Sequence, residues 1–151
     1  MSDSKIGNKI VKQLLQSLTQ FNRTQWHRSL PGFKPSEIML ILAIGEGAEH
    51  GGPGLKVSEI SHMLRVTSPT VTQLLKELES KRLIERSSDP ADRRVVRIRL
   101  TKEGMQIANK AKRKLLHSLE GLVEFLGEED SKRLAQLLDK AFLYFDKGQD
   151  Q

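Results

Sequence analysis

A group of polar side chains between residues 68 and 76 has the hydrogen-bonding chemistry that proteins use to read DNA. Hydroxyls come from Ser68, Thr70 and Thr72. Gln73 could pair with adenine through two hydrogen bonds, and Lys76 could reach a phosphate oxygen. The N-terminal residues of such a helix meet base edges in the major groove. A solvated helix surface has a similar composition, so this interpretation depends on the neighbouring elements.

A turn with two arginines follows downstream, where residues 89–94 read Asp-Pro-Ala-Asp-Arg-Arg. Arg93 and Arg94 stand where the turn could project them, and the narrow, negative minor groove of DNA attracts an extended arginine. Asp92 is close enough in sequence to hold one guanidinium in a fixed pose by charge-assisted hydrogen bonds. We therefore expect this arginine pair to contact DNA and Asp92 to orient it.

The elements around these residues are those of a helix-turn-helix followed by a β-hairpin. Val57–Leu64 predicts a short helix, Thr67 an N-cap, and residues 68–82 a second amphipathic helix. Residues 83–86 predict a strand, and residues 96–100 a half-buried strand whose arginines lie on the side in water. This order predicts one helix for the major groove and a charged wing for the neighbouring groove.

The N-terminal part of the chain predicts two more helices and a loop. An apolar stripe from Ile6 indicates an amphipathic helix to about His27. Pro35 suits the first position of a second helix, which is apolar on most sides through residue 44 and should be buried. Residues 45–54 are rich in glycine, so we expect a loop there.

The C-terminal part predicts two long amphipathic helices, the first capped by Thr101 and the second following Gly127. Their apolar stripes, with that of the first helix, exceed what one small lobe can cover. We therefore expect a mainly α fold. Residues 1–30 and 104–151 would be dimerisation helices, and residues 31–103 a winged helix-turn-helix DNA-binding lobe with a small antiparallel β-wing.

Composition narrows the classes of function. The 151-residue chain has a formal net charge of +6 and no cysteine, which suits a polyanionic partner and excludes thiol-based sensing and thiolate metal sites. No metal-binding, cofactor-binding or catalytic motif occurs, so we expect no metal, no cofactor and no enzymatic activity. The N-terminus lacks the features of a signal peptide, and no apolar run approaches the ~20 residues that span a bilayer. We expect a cytoplasmic protein without membrane contact.

The wing sequence, DPADRRVVRIRLTKEG, resembles that of the multiple-antibiotic-resistance regulator (MarR) family of bacterial transcription factors. Strand, turn and helix cap match together, and the resemblance covers nearly the whole chain. It implies that Arg94 enters the minor groove and that residues 68–76 lie on the recognition helix. It also implies a homodimer, a palindromic operator and, frequently, a small-molecule inducer. This chain departs from the family in its glycine-rich residues 45–54 and in having Lys56 where a capping hydroxyl is more usual.

These observations predict a ligand-responsive homodimeric repressor that binds a palindromic operator in double-stranded DNA. Trp26, Phe33 and Met39 are candidates for a ligand pocket between the dimer lobe and the DNA lobe, although such residues are more often plain core. Two alternatives stay open at this point. One is a helical protein-interaction module with a winged-helix fold and no specific DNA binding. The other is a small enzyme with a site assembled across the dimer.

Overall fold

The computed structural model describes residues 2–24, 30–49 and 51–148. In chain order its elements are α1 (Ser2–Arg23), α2 (Pro35–Glu49), α3 (Val57–Leu64), α4 (Ser68–Ser80), β1 (Ile84–Ser88), β2 (Val96–Leu100), α5 (Lys102–Leu126) and α6 (Glu128–Lys147). Within the described residues, no helix has an apolar stretch of the length that crossing a membrane requires. The predicted mainly α fold with a small antiparallel wing is confirmed.

The chain divides into two compact units, residues 1–112 and residues 113–151. In the first unit, one apolar core joins α2, α3, α4, the two strands and the start of α5. It contains the buried side chains Leu40, Ile41, Ile44, Ile60, Val71, Leu75, Leu78, Leu83, Ile84, Ile98, Leu100 and Ala108. Full burial of a large aliphatic side chain contributes about 1.5–3 kcal/mol. This core therefore fixes the helix-turn-helix to the hairpin.

The prediction of a loop from residue 45 was wrong, because α2 continues to Glu49. Gly45 and Gly47 lie in this helix, and each glycine costs about 0.5–1 kcal/mol of stability relative to alanine. Close packing offsets this cost. A Cβ on Gly47 would lie 2.7 Å from a side-chain carbon of Leu55, and one on Gly45 would touch Ala108 at 3.4 Å. A tertiary contact has overridden the low helix propensity of these residues.

The hairpin is antiparallel, with Ile84 opposite Leu100 and Ser88 opposite Val96. Its second strand also exchanges backbone hydrogen bonds with a residue before α3. Leu55 N–H donates to the Ile98 carbonyl at 2.9 Å, and Ile98 N–H donates back at 2.7 Å. Gly54, which has a φ of +102°, brings the chain into this bridge, and a Cβ there would lie 2.7 Å from the Ile98 carbonyl oxygen. The wing is therefore tied to the start of the helix-turn-helix.

Long helices outside this core keep apolar faces exposed. In the first unit, α1 exposes Ile10, Val11, Leu14, Leu15 and Leu18. Residues 25–29, where the sequence predicted its end, lie outside the described part of the chain. In the second unit, α6 has no buried residue and exposes Leu134, Leu137, Leu138, Phe142, Leu143, Tyr144 and Phe145. Nothing in this single chain covers either face within the residues described.

Candidate nucleic-acid interface

The N-terminus of α4 presents its polar face outward because its inner face is anchored. Val71, Leu75 and Leu78 are buried in the core. Thr67 is the N-cap, with φ −68° and ψ 152°, and its Oγ1 accepts a hydrogen bond from the Thr70 N–H at 3.4 Å. The preceding turn uses Arg65 in the left-handed conformation, with φ +53°, where glycine is more usual. Cap and turn together set where the helix begins.

The side chains predicted to contact DNA differ in how their polar groups are used within the chain. Ser68, Thr70, Gln73 and Lys76 are exposed, and Thr72 is half-buried. The Thr70 and Thr67 hydroxyls share a hydrogen bond of 2.8 Å, and the Thr72 hydroxyl donates to the Ser68 carbonyl at 2.9 Å. Among the described residues, the side chains of Gln73 and Lys76 have no hydrogen-bonding partner. Their side chains are therefore ready to meet a ligand.

The wing tip holds one arginine in a defined direction. Asp92 Oδ1 accepts hydrogen bonds from the Arg94 backbone N–H at 3.1 Å and from Arg94 Nε at 3.2 Å, and its Oδ2 lies 3.4 Å from an Arg94 terminal nitrogen. The Arg94 side chain is nevertheless 91% exposed. These hydrogen bonds from Arg94 lower the pKa of Asp92 below its ordinary value. Arg93 is exposed as well. Arg94 thus combines exposure with a fixed pose.

Of the two strand arginines, Arg99 is exposed, as the sequence predicted, but Arg97 is not. The Arg97 side chain is only 16% exposed, and its Nε donates to Asp89 Oδ2 at 2.5 Å. One of its terminal nitrogens donates to the Gly54 carbonyl at 3.2 Å, and Arg99 donates to the Gly52 carbonyl at 2.7 Å. Both arginines bind the glycine-rich segment before α3. Sequence reasoning missed the contacts of Arg97 because two of its partners, Gly54 and Glu59, lie far from it along the chain.

A second charged contact missed from the sequence holds the C-terminal end of α4. The Glu37 carboxylate is buried and accepts hydrogen bonds from Lys81 Nζ at 2.8 Å and from the Lys34 backbone N–H at 2.9 Å. Lys34 Nζ lies 3.3 Å from Glu77 of α4. Burial raises the pKa of Glu37, but the hydrogen bonds from Lys81 and Lys34 outweigh it, and the pKa is lowered. Contacts from the start of α2 therefore hold the C-terminal end of α4 in place.

Two of the three residues predicted for a ligand pocket, Phe33 and Met39, lie in the described part of the chain. Trp26 lies outside the described residues. Phe33 is half-buried, packs against the apolar core, and has Lys81 Nζ 5.0 Å from its ring centroid. Met39 is half-buried in α2.

Among residues 2–24, 30–49 and 51–148, no group of three His, Asp or Glu side chains could hold a metal ion.

Helices α3 and α4, their left-handed turn and the hairpin after them define the winged helix-turn-helix class. The family model described as MarR family matches residues 32–95. The transcriptional regulator HosA of Escherichia coli O111:H- is 30% identical over 102 residues, which cover 68% of this chain and 71% of HosA. The chain belongs to the MarR family.

Other relatives agree with this assignment. The HTH-type transcriptional repressor MdtR of Bacillus subtilis (strain 168) is 33% identical over 62% of this chain and 59% of the repressor. The crystal structure of Streptococcus pneumoniae FabT in complex with DNA has a TM-score of 0.71 at 27% identity, covering 93% of this chain and 95% of FabT. The chain spans only 52% and 59% of the length of two Bacillus subtilis relatives that it matches.

Proposed function

We propose that this chain is a transcriptional regulator that binds double-stranded DNA as a homodimer and represses by blocking promoter access. The observation that carries the proposal is the Asp92–Arg94 contact, which holds an almost fully exposed guanidinium at the wing tip. Within the same compact unit, α4 presents Gln73 and Lys76 to solvent. A polar helix for the major groove and an arginine for the minor groove are the two groups that this class of protein needs.

The two surfaces have separate tasks in this proposal. Ser68, Thr70 and Thr72 would contact phosphates or base edges near the start of α4, and Gln73 would read a base. Lys76 and Arg93 would add phosphate contacts, which strengthen binding on every sequence without discriminating among bases. Arg94 would enter the minor groove, where a narrow, negative groove favours it. Specificity would then come from a few side chains, and affinity from several.

Dimerisation would supply the symmetry that a palindromic operator requires. The exposed apolar faces of α1 and α6 suit burial against a second copy. The face of α6 includes large side chains such as Leu138 and Phe142. A two-fold axis would place two recognition helices about 34 Å apart, one turn of B-DNA. Residues 1–30 and 104–151 would carry this contact in the proposed domain arrangement, leaving residues 31–103 to bind DNA.

Release from DNA would need only a ligand that prefers a dimer with the wrong spacing between its two recognition helices. Such a ligand would weaken DNA binding by its differential affinity, typically ~1–3 kcal/mol. Phe33 and Met39, with Trp26, remain our candidates for its contacts. We propose a cytoplasmic regulator with no catalytic role, because the relatives MdtR and HosA are transcriptional regulators.

Selection of duplexes from a random pool with the purified protein tests the proposal. We expect enrichment of a palindrome, and affinity for it that falls by a factor of about 10³ or more between about 50 and 200 mM salt. Arg94→Ala should weaken binding, whereas Lys132→Ala, which also removes one positive charge but from an exposed position of α6 outside its apolar face, should not. A protein-interaction module would instead show no enriched sequence, and that result would refute specific DNA binding.

A further inference from the structure

Arg97 lies at the junction between the wing and the helix-turn-helix. Its guanidinium donates to the Asp89 carboxylate on one side and to the Gly54 carbonyl on the other. A third partner, Glu59 Oε2 of α3, lies 3.7 Å from one of its terminal nitrogens. The side chain is 16% exposed, so little of it remains for a phosphate. These contacts point to a structural partner inside the lobe as the main role of Arg97.

On the wing side, the contacts continue without a break to the arginine at the tip. Asp89 is buried and accepts hydrogen bonds from the Ala91 N–H at 2.8 Å and the Asp92 N–H at 3.2 Å. The next carboxylate along, that of Asp92, holds the backbone and side chain of Arg94. The hydrogen bond from Ala91 and then that from Arg97 lower the pKa of Asp89, so it stays ionised near neutral pH. Asp89, which binds Arg97, therefore also stabilises the turn that presents Arg94.

On the side away from the wing tip, the contacts of Arg97 reach the first helical turn of α3. Glu59 accepts a hydrogen bond from the Lys56 backbone N–H at 2.8 Å and thereby closes the start of α3. Gly54 lies directly before Leu55, which forms the backbone bridge to Ile98. Arg97 thus lies in the middle of a path of contacts that runs from α3 through Asp89 and Asp92 to the wing tip. A two-stranded hairpin is marginal by itself, and such a path can hold it at one angle.

We propose that Arg97 and Asp89 are positioning residues that fix the wing arginine, Arg94, relative to the recognition helix. The inference rests on the proposed DNA-binding function and goes beyond it, because it assigns residues that contact no DNA a part in its recognition. A planar guanidinium can donate to Asp89 with Nε while a terminal nitrogen reaches Gly54. A lysine has all its donors on one nitrogen, so it cannot meet the two acceptors from the separate positions of Nε and the terminal nitrogen. The identity of residue 97 therefore matters, and so does its charge.

A double-mutant cycle on DNA affinity tests the inference. Arg97→Gln should weaken binding to the selected operator by about tenfold, which corresponds to 1.4 kcal/mol. In an Arg94→Ala background the same substitution should change affinity by less than about twofold, because residues in one network are not additive. Arg97→Lys should fail to restore binding. The matched control is Arg99→Gln, on the same strand, whose effect should be equal in the two backgrounds.

Folding is followed separately by circular dichroism and urea titration, at a temperature where every variant is folded. If Arg97→Gln does not fold, Asp89→Asn takes its place in the cycle, because its side-chain oxygen can still accept from the Ala91 and Asp92 N–H groups. Equal losses in both backgrounds, with a shallower salt dependence, would assign Arg97 to a direct phosphate contact and overturn the inference. An unchanged affinity would overturn it as well. Failure of the wild-type chain to select any duplex would instead reject the proposed function, and the inference with it.

Discussion

The buried carboxylate of Glu37 should contribute about two to three times more to the free energy of unfolding than the exposed carboxylate of Glu79 in α4. Glu37→Gln keeps the shape of the side chain and removes its charge. The Glu37 carboxylate is 1% exposed, and Lys81 Nζ lies 2.8 and 3.0 Å from its two oxygens. In the variant, an amide group would have to face the ammonium, or the contact with the Lys34 N–H at the start of α2 would be lost.

The size of the effect follows from these contacts. A hydrogen bond to a charged group contributes about 1.5–3 kcal/mol, and a helix N-cap contact about 1 kcal/mol. Lys81 is 41% exposed and can regain water when the pair is broken, which lowers the loss below the 3–5 kcal/mol of a fully buried pair. We therefore expect a loss of about 2–3 kcal/mol in the free energy of unfolding. This is a large part of the roughly 5–15 kcal/mol that stabilises a typical domain.

Urea titration followed by circular dichroism measures the loss directly, at a fixed protein concentration because the proposed dimerisation would contribute to stability. Glu79→Gln is the matched control. It breaks the 3.1 Å pair between Arg86 and a carboxylate that is 46% exposed, so it should cost no more than about 1 kcal/mol. If the two variants unfold at the same urea concentration, the buried pair does not stabilise the start of α2 against α4, and the argument is refuted.

The pH dependence supplies an independent check on the same carboxylate. The pKa of Glu37 in the folded chain lies below its ordinary value of 4.5. Its contribution is therefore complete above pH 4.5 and is lost as the pH falls through the lower folded-state pKa. The stability difference between the wild-type chain and Glu37→Gln should stay constant from neutral pH to about 4.5 and shrink below it. A difference that grew on acidification would contradict the assigned direction.

Three further predictions concern base reading, assembly and the backbone. Gln73→Ala should relax base preference at one operator position in each half-site, measured by selection from a random pool; an equal loss on all sequences would show that Gln73 reads no base. Leu138→Glu on α6 should shift the chain from dimer to monomer in sedimentation, whereas the exposed Lys132→Glu should not, and an unchanged dimer would exclude this face. Gly54→Ala should destabilise the chain by about 1–3 kcal/mol in urea titration, because φ is +102° and the Ile98 carbonyl fills the space. Gly51→Ala, with open space around it, should cost less, and equal losses would contradict the bridge.

Local patterns in the sequence determined much of this protein. The period of apolar residues predicted α3 at Val57–Leu64, and Thr67 was predicted as the cap that the structure contains. The contact between Asp92 and an arginine of the turn also spans only two residues. Such features depend on interactions within one or two turns of chain, so residue types and spacing are enough to predict them.

Tertiary structure decided the features that depend on partners far along the chain. Glu37 and Lys81 are 44 residues apart, and Arg97 and Gly54 are 43 apart. No local pattern could pair them, and Arg97 had the alternation of a solvent-facing strand residue. The extension of α2 through Gly47 was decided in the same way, by the approach of Leu55. The sequence by itself thus determined which elements form and which polar groups they carry. Only packing decided which charges are buried and how the recognition helix and the wing are held, because burial depends on what the rest of the chain brings alongside.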